Sequence, residues 1–517
     1  MRKVQYVSLA LLASLLLFVL AIPFGNAVMP DQGNEELATA FQVESYYNAN
    51  PNLQGAFCYY ANPVAAMCTS YVPDTYIPTS AGLLLTNTVA ELRRAYDLNP
   101  LYAAGYDGSG QTVVIVDAFG SPTVYADLLS FIQWQNANGA NLPWTTMAEV
   151  QQHLHIYYPE GYVVFNANNP DEVGWSQEVT LDVDMVHAMA PRANIDLVIS
   201  KNDEDAVLTG AVAYAVLNHL GSVISQSWGD PEWDIAASGP TAIAEMMWAD
   251  KVYELAAMEG ITVFASAGDD GASSLSQYYI PPGYNSPSYP ASDPFVTAVG
   301  GTNLFMNCNA SYVEGAGMYS TIDSNTYVGL TYNREIAGND YEGMAADGYP
   351  SPFDIVTTGG AMSQFFRLPY WQQGITITYA NGTSFTPTMR CDSDVSWDSG
   401  LYGGLGLVPY TANATLAGYY LFGGTSMGSP FWAALTAIID QHLGHSIGYL
   451  NPLLYANRAT FYSTSAFHDI TVGDNTYLTG SALIGYEATK GWDAPTGIGS
   501  PDATKLVTEL RPFWFFG

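Results

Sequence analysis

The sequence predicts an α/β protein with a mainly parallel central sheet flanked by helices. Three observations predict it. Short runs rich in β-branched residues, each bounded by Gly or Asp, recur along the middle of the chain. Segments of helical period, long enough to cross a sheet, alternate with them. Finally, 517 residues with 48% hydrophobic content supply enough apolar surface for a large core.

The expected strands are residues 112–116, 195–199, 223–227, 261–265 and 295–299. Their apolar runs are nearly continuous, as in strands buried on both faces. The expected helices are residues 124–136, 176–190, 204–219, 241–258 and 426–442. From about 305 to 358 the pattern dissolves into Tyr, Asn, Gly and Asp, which reads as a surface insertion made of loops. Residues 28–85 carry little periodicity and read as a short lead or pro segment. The main domain then spans 86–510, and 511–517 form an apolar tail. There is no internal repeat.

The N-terminus reads Met1-Arg2-Lys3, then an apolar run from Val7 to Pro23, then the small residues Gly25-Asn26-Ala27. This is the pattern of an export signal over residues 1–27, and the expected location is outside the cell. An uncleaved anchor is the alternative, given the length of the run. No later segment reads as membrane-spanning.

Charge excludes some partners. With 48 Asp and Glu against 14 Lys and Arg the formal charge is -34 at neutral pH, which repels nucleic acid and anionic lipid. Carboxylates lose charge near pH 4 while Lys and Arg keep theirs, so scarcity of bases limits self-repulsion in acid. A halophilic or merely acidic exported protein would share this composition.

Four cysteines allow two disulfides, Cys58 with Cys68 and Cys308 with Cys391, or either crossed pairing. No cysteine spacing suits zinc. The sequons at Asn309, Asn381 and Asn413 fit an exported surface.

Three segments carry chemistry. Gly423-Gly424-Thr425-Ser426-Met427-Gly428 is a glycine turn feeding the apolar run from Phe431. It presents Ser426 at a helix start, where backbone amides favour a developing oxyanion. A plain helix-capping serine would look the same. A serine nucleophile needs a base, and no histidine stands in the His-Gly-Thr setting of a subtilisin. His187 reads as a helix residue without a role. Glu178 and Asp182 are four apart, which on a helix stacks them on one face opposite Val179, Val183 and Val186. Repulsion and burial would keep one of them protonated; two solvated surface acids are the bland alternative. The third segment, residues 261–271, is a buried-strand pattern ending at Gly268-Asp269, where parallel sheets place functional groups. A protonated Asp269 could donate to an oxyanion, whereas a simple turn would also explain Gly-Asp-Asp-Gly.

Together, in the chain order Glu178-x-x-x-Asp182, strand-Gly268-Asp269, Gly424-Thr425-Ser426, the three segments resemble the sedolisin family, the serine-carboxyl peptidases. Val114 to Gly120, Ser225-Gln226-Ser227-Trp228-Gly229, Tyr289 to Pro294, Val299 to Thr302 and Gly359 to Phe366 are similar to the same family. The resemblance implies a subtilisin-like fold and acid endopeptidase activity on protein or peptide substrates. It assigns Ser426 as nucleophile, Glu178 as base, Asp182 as its partner and Asp269 to the oxyanion hole. Asp117, where subtilisins keep their triad aspartate, takes a supporting role. Residues 467–471 and 491–499 resemble the family's calcium loops. They imply one structural Ca2+ held by the side chains of Asp469 and Asp493 and the carbonyls of Ile470, Thr489 and Gly491. Thr489 stands where the family usually has Gly. The lead segment is far shorter than the family's pro-domain. A monomer is expected.

Overall fold

The computed structural model describes strands 39–42, 76–79 and 82–85 and residues 87–274, 285–307, 331–340, 356–400, 405–477 and 485–510. The chain divides after Glu35, and every described residue lies in the second unit. The expected signal and the 511–517 tail fall outside the described residues, as do the Asn309 sequon and Cys58, Cys68 and Cys308.

The core sheet contains β1 (Thr112–Ala118), β2 (Leu154–Tyr157), β3 (Asn194–Ser200), β4 (Val223–Gln226), β5 (Thr262–Ser266), β6 (Thr297–Asn307), β7 (Thr331–Ala337) and β8 (Val395–Asp398). Its order is β7-β6-β5-β4-β1-β3-β2, with β8 also paired to β6. Every pairing is parallel except β6 with β7. Parallel neighbours need long crossovers. Helices α1 (Val124–Ala137), α2 (Pro170–Met189), α3 (Asp205–Leu217) and α4 (Pro240–Met258) fall between consecutive strands, and α5 (Gly428–Leu443) follows the sheet. Helices α2 and α5 pack on each other and on β1, while α3 also meets β1 and packs on α4. Val113, Val114, Ile115 and Val116 are all buried, so both faces of β1 are covered and the run is continuous instead of alternating.

The five expected strands are all present, three of them longer than their apolar runs. Helix α2 starts at Pro170, well before Ser176, because Asn169 caps it with a hydrogen bond from the Asp171 amide. The expected insertion contains β7, which extends the sheet antiparallel to β6. Its sequence, Thr-Tyr-Asn-Arg-Glu-Ile-Ala, hides this because polar Glu335 points inward, accepting hydrogen bonds from Tyr96, Thr302 and Ser500. The lead segment contains the strands Thr39–Gln42, Tyr76–Thr79 and Gly82–Leu85. A hairpin of β9 (Leu405–Tyr410) and β10 (Gly418–Gly423) leads into α5. Cys391 is a free, buried thiol, which removes it from either disulfide pairing.

Candidate active site

Because the parallel strands run one way, their C-terminal ends share one edge of the sheet. Asp117 near the end of β1, Ser227 just past β4 and Asp269 three residues past β5 all stand there. The turn Thr425–Met427 sits at this edge between β10 and α5, and α2 lies against it.

Ser426 is wholly buried within that turn. It does not cap the helix. Met427 takes the cap position without a side-chain bond, and Ser426 Oγ has no hydrogen-bond partner among the described residues. Gly424 is required before it: the residue has φ 109°, and a Cβ there would collide with Asp269 Oδ2.

Glu178 and Asp182 lie one turn apart on α2, with relative exposures of 1% and 0%. Surface acids are therefore excluded. Nearly all of α2 from Trp175 onward is buried, so the valines at 179, 183 and 186 are part of a helix covered all round and not a single apolar stripe. Ser227, which sequence reasoning left without a role, joins the parts. Its Oγ donates to Asp182 Oδ1 at 2.9 Å and also approaches the Ser426 carbonyl oxygen at 3.2 Å. Its neighbour Ser225 shares a 2.9 Å hydrogen bond with Ser429 Oγ in the first turn of α5. The signal was the Ser-x-Ser spacing at a strand end, since a period of two points both hydroxyls to one side.

Asp269 is tied to the same turn. Its Oδ1 accepts from the Thr425 amide at 2.6 Å and from Thr425 Oγ1 at 2.9 Å, while Thr425 Oγ1 accepts from the Gly268 amide at 3.0 Å. Asp269 Oδ2 has no partner among the described residues.

Burial sets the electrostatics of the site. It pushes Asp269 up to about 7, against the downward pull of the Thr425 hydrogen bonds. It pushes Asp117 up to about 8, and neither carboxyl oxygen of Asp117 has a partner among the described residues. Asp182 is held well above the usual carboxylate range by burial first, then by the nearby charges of Asp117 and Glu178. Among the described residues no histidine is hydrogen-bonded to Ser426 Oγ. His187 is buried against the Trp144 ring at 4.1 Å, and burial lowers it to about 3.

A stability prediction follows for Asp117. In the unfolded chain this carboxyl ionises near pH 4; in the native state it stays neutral until about pH 8. Its contribution to stability is therefore complete below about pH 4 and is lost as pH rises between the two values, at about 1.4 kcal/mol per pKa unit. Asp117→Asn should raise the melting temperature at pH 7 and leave it nearly unchanged at pH 3. Equal shifts at both pH values would contradict the assignment.

At the second expected site, Asp469 Oδ1 accepts from the Gly491 amide at 2.9 Å. Asp493 accepts from the Thr489 amide and from the Thr496 amide and hydroxyl. Burial, and to a lesser degree Asp469, raises Asp493. No group of three or more His, Cys, Asp or Glu is placed to hold a metal among the described residues. The charge of Asp469 helps raise Asp493, so the two carboxyls stand near each other, and such a pair suits a hard divalent cation.

The family model described as Subtilase family matches residues 161–455, from the approach to α2 through α5. This chain belongs to the subtilase family. Among curated proteins, this subtilase is 31% identical over 439 residues to kumamolisin from Bacillus sp. (strain MN-32), a match covering 82% of this chain and 64% of that protein. It is also 31% identical over 351 residues to sedolisin from Pseudomonas sp. (strain 101), covering 67% of this chain and 51% of the other. The subtilase thus spans between about half and two-thirds of the length of these two relatives. The solved structure of Pseudomonas sedolisin, a serine-carboxyl proteinase complexed with two molecules of pseudo-iodotyrostatin, superimposes with a TM-score of 0.60 at 26% identity. That match covers 84% of this chain and 99% of that one. The subtilase is therefore a homologue of the sedolisins, as its motifs suggested, with the subtilisin-like fold.

Proposed function

We propose that this subtilase is an exported serine-carboxyl endopeptidase that hydrolyses peptide bonds in acid through Ser426, Glu178 and Asp182. The observation that carries the reading is the Ser227 hydroxyl, which ties the Asp182 carboxyl to the backbone of Ser426 inside a buried cluster of acids.

In the proposed reaction Glu178 accepts the Ser426 hydroxyl proton as Oγ attacks the peptide carbonyl. Asp182 holds Glu178 and shares a proton with it, an arrangement supported by its raised affinity for protons. The tetrahedral oxyanion accepts from the Ser426 amide and from protonated Asp269, whose other oxygen is anchored on Thr425. Glu178 then gives its proton to the leaving amine as the C–N bond breaks. Water adds to the acyl-enzyme by the same route, losing its proton to Glu178, and Ser426 regains a proton as the acid product departs. Asp117 supports the cluster from β1 as a buried carboxyl that stays neutral in acid.

The test is peptide hydrolysis by the full chain across pH, with Ser426→Ala as control. Hydrolysis should be strongest at about pH 3 to 4, where Asp182 and Asp269 are protonated, and absent in the variant. Activity retained by Ser426→Ala would sink the reading.

Asp469 and Asp493, with the carbonyls of Ile470, Thr489 and Gly491, would hold one calcium ion that stabilises the C-terminal loops. A ligand bound by the native state alone raises its stability, so chelation near pH 6 should lower the unfolding temperature by a few degrees or more. No shift in the melt would remove calcium from the account. Residues 1–27 would direct export. No described helix is long and apolar enough to cross a membrane. The expected substrates are proteins or peptides, and the expected state is a monomer.

A further inference from the structure

Two of the three sequons lie among the described residues, and at short range they are alike. Asn381 Oδ1 accepts from the Thr383 amide at 2.9 Å, and Asn413 Oδ1 accepts from the Thr415 amide at 2.9 Å. Each asparagine thus closes a side-chain turn on its own backbone two residues on. What separates them is tertiary.

Asn413 sits in the loop between β9 and β10 and is 8% exposed. Its Nδ2 donates to the Ala167 carbonyl at 2.9 Å, which ties this loop to the segment just ahead of α2. Its Oδ1 also accepts from Thr415 Oγ1 at 2.6 Å. Both the nitrogen that would carry a sugar and the hydroxyl of the sequon are therefore engaged, with almost no open surface around them.

Asn381 stands at the tip of a hairpin in which Ile377–Thr378 pairs antiparallel with Ser384–Phe385. The Tyr379 amide donates to the Thr383 carbonyl at 2.9 Å and the Gly382 amide to the Tyr379 carbonyl at 2.7 Å, with Gly382 at φ 81°. Ala380, Asn381 and Gly382 thus form a three-residue hairpin loop closed by a glycine in the left-handed region. Residues 381–384 are all exposed, and among the described residues nothing bonds to Asn381 Nδ2. Two positions earlier, the half-buried Tyr379 ring is fixed by stacking on Phe385 and on Tyr486, each at 5.2 Å. A fixed aromatic ring next to the tip offers an apolar face to the C–H side of a sugar.

We propose that Asn381 is an N-glycosylation site of the exported protein and that Asn413, with an equally good sequon, is not. The proposal rests on the export reading above. The donor is an oligosaccharide carried on a lipid phosphate, brought up by the transferase of the export pathway. Asn381 Nδ2 attacks the first sugar carbon, the new N–C bond forms, the carbon–oxygen bond to phosphate breaks, and the lipid phosphate leaves with the electron pair. The proton lost from Nδ2 passes to a base of the transferase. A glycan is bulky and needs open surface. The hairpin tip provides it, whereas a sugar on Asn413 would have to part the β9–β10 loop from Ala167.

The experiment uses the full chain with Ser426→Ala, which prevents self-digestion, secreted from an N-glycosylating host. Enzymatic removal of the glycans in heavy-oxygen water converts each occupied asparagine to a labelled aspartate, which peptide mass spectrometry then counts. Asn381 should be labelled in most folded molecules and Asn413 in almost none. A second measurement needs no glycan. In protein made without glycosylation, at pH 7, Asn381→Asp keeps the turn acceptor and should leave the melting temperature unchanged. Asn413→Asp replaces the Nδ2 donor with an oxygen facing the Ala167 carbonyl and should lower it by a few degrees. An unlabelled Asn381, a labelled Asn413 in folded protein, or equal melting shifts in the two variants would overturn the inference. The same chain with residues 1–27 replaced by the host's own export signal separates the two readings: if only that version is secreted and carries the Asn381 glycan, the site stands and the export reading fails.

Discussion

Glu178→Gln should abolish measurable peptide hydrolysis, with a loss of at least about 10²–10⁴-fold. The amide keeps the size of the carboxyl but cannot take the Ser426 proton. The wild-type carboxyl lies on a helix covered all round, so no solvent base has ready access to replace it. Two checks make the result specific: kcat should fall with little change in KM, and the melting temperature at pH 4 should stay near the parent's. An active Glu178→Gln enzyme would leave the triad without its base, and His187→Ala would then be the control for a hidden imidazole. On the present geometry that change should cost stability through the lost Trp144 stack and leave the pH profile unaltered.

Asp269 gives the second large effect, and its two variants should differ in kind. Asp269→Ala removes both the proposed oxyanion donor and the acceptor that anchors Thr425, so kcat should drop by about 10²–10³-fold. Asp269→Asn can keep its carbonyl oxygen on Thr425 and place an N–H where Oδ2 now stands. That donor does not titrate. In the parent, Asp269 is a donor only while protonated, so its help is present in acid and fades as pH rises through about 7. The Asn variant should retain activity within about ten-fold in acid and extend the alkaline limb of the pH–rate profile upward. An unchanged limb in Asp269→Asn, or full activity in Asp269→Ala, would remove Asp269 from the oxyanion hole.

The acid-rich composition takes on a different meaning once the acids are located. The sequence suggested a repulsive acidic surface, yet Asp117, Asp127, Asp182, Asp184, Asp293, Asp394, Asp398 and Asp440 are wholly buried. Several of these are raised by burial or by one another, as Asp184 is by burial and Asp127, and Asp293 by burial and Asp250. Inside the molecule, protonated carboxyls are neutral hydrogen-bonding groups, while ionised ones are costly. The interior itself therefore favours low pH, which the count of charges alone could not reveal.

Several parts of the structure were legible in the sequence. The strands through 113–116, 195–199 and 262–265 were, because short runs dominated by β-branched and other apolar residues have few other ways to bury themselves. Helix α2 was legible from its Glu-x-x-x-Asp spacing, though its start was not, since Pro170 and the Asn169 cap lie outside the apolar pattern. Strand β7 was missed because its inward residue is a glutamate satisfied by partners from distant segments. Ser227 was visible as a residue but silent as to role, because a hydroxyl acquires meaning only from what it touches.

The sequence by itself determined the alternation of strand and helix, the family, and the order in which Glu178, Asp182, Asp269 and Ser426 appear. Local periodicity and short motifs are properties of neighbours along the chain, and a single sequence contains them in full. Only the tertiary structure decided that all four side chains are buried, that Asp269 is bonded to the Thr425–Met427 turn, that Ser227 links the Asp182 carboxyl to the Ser426 backbone, and that a lead-segment strand pairs with β10. Burial and proximity arise from contacts between residues tens to hundreds of positions apart. The proton affinities of the carboxyls follow from those contacts, because solvent exclusion and neighbouring charge, not residue type, set where a buried acid titrates.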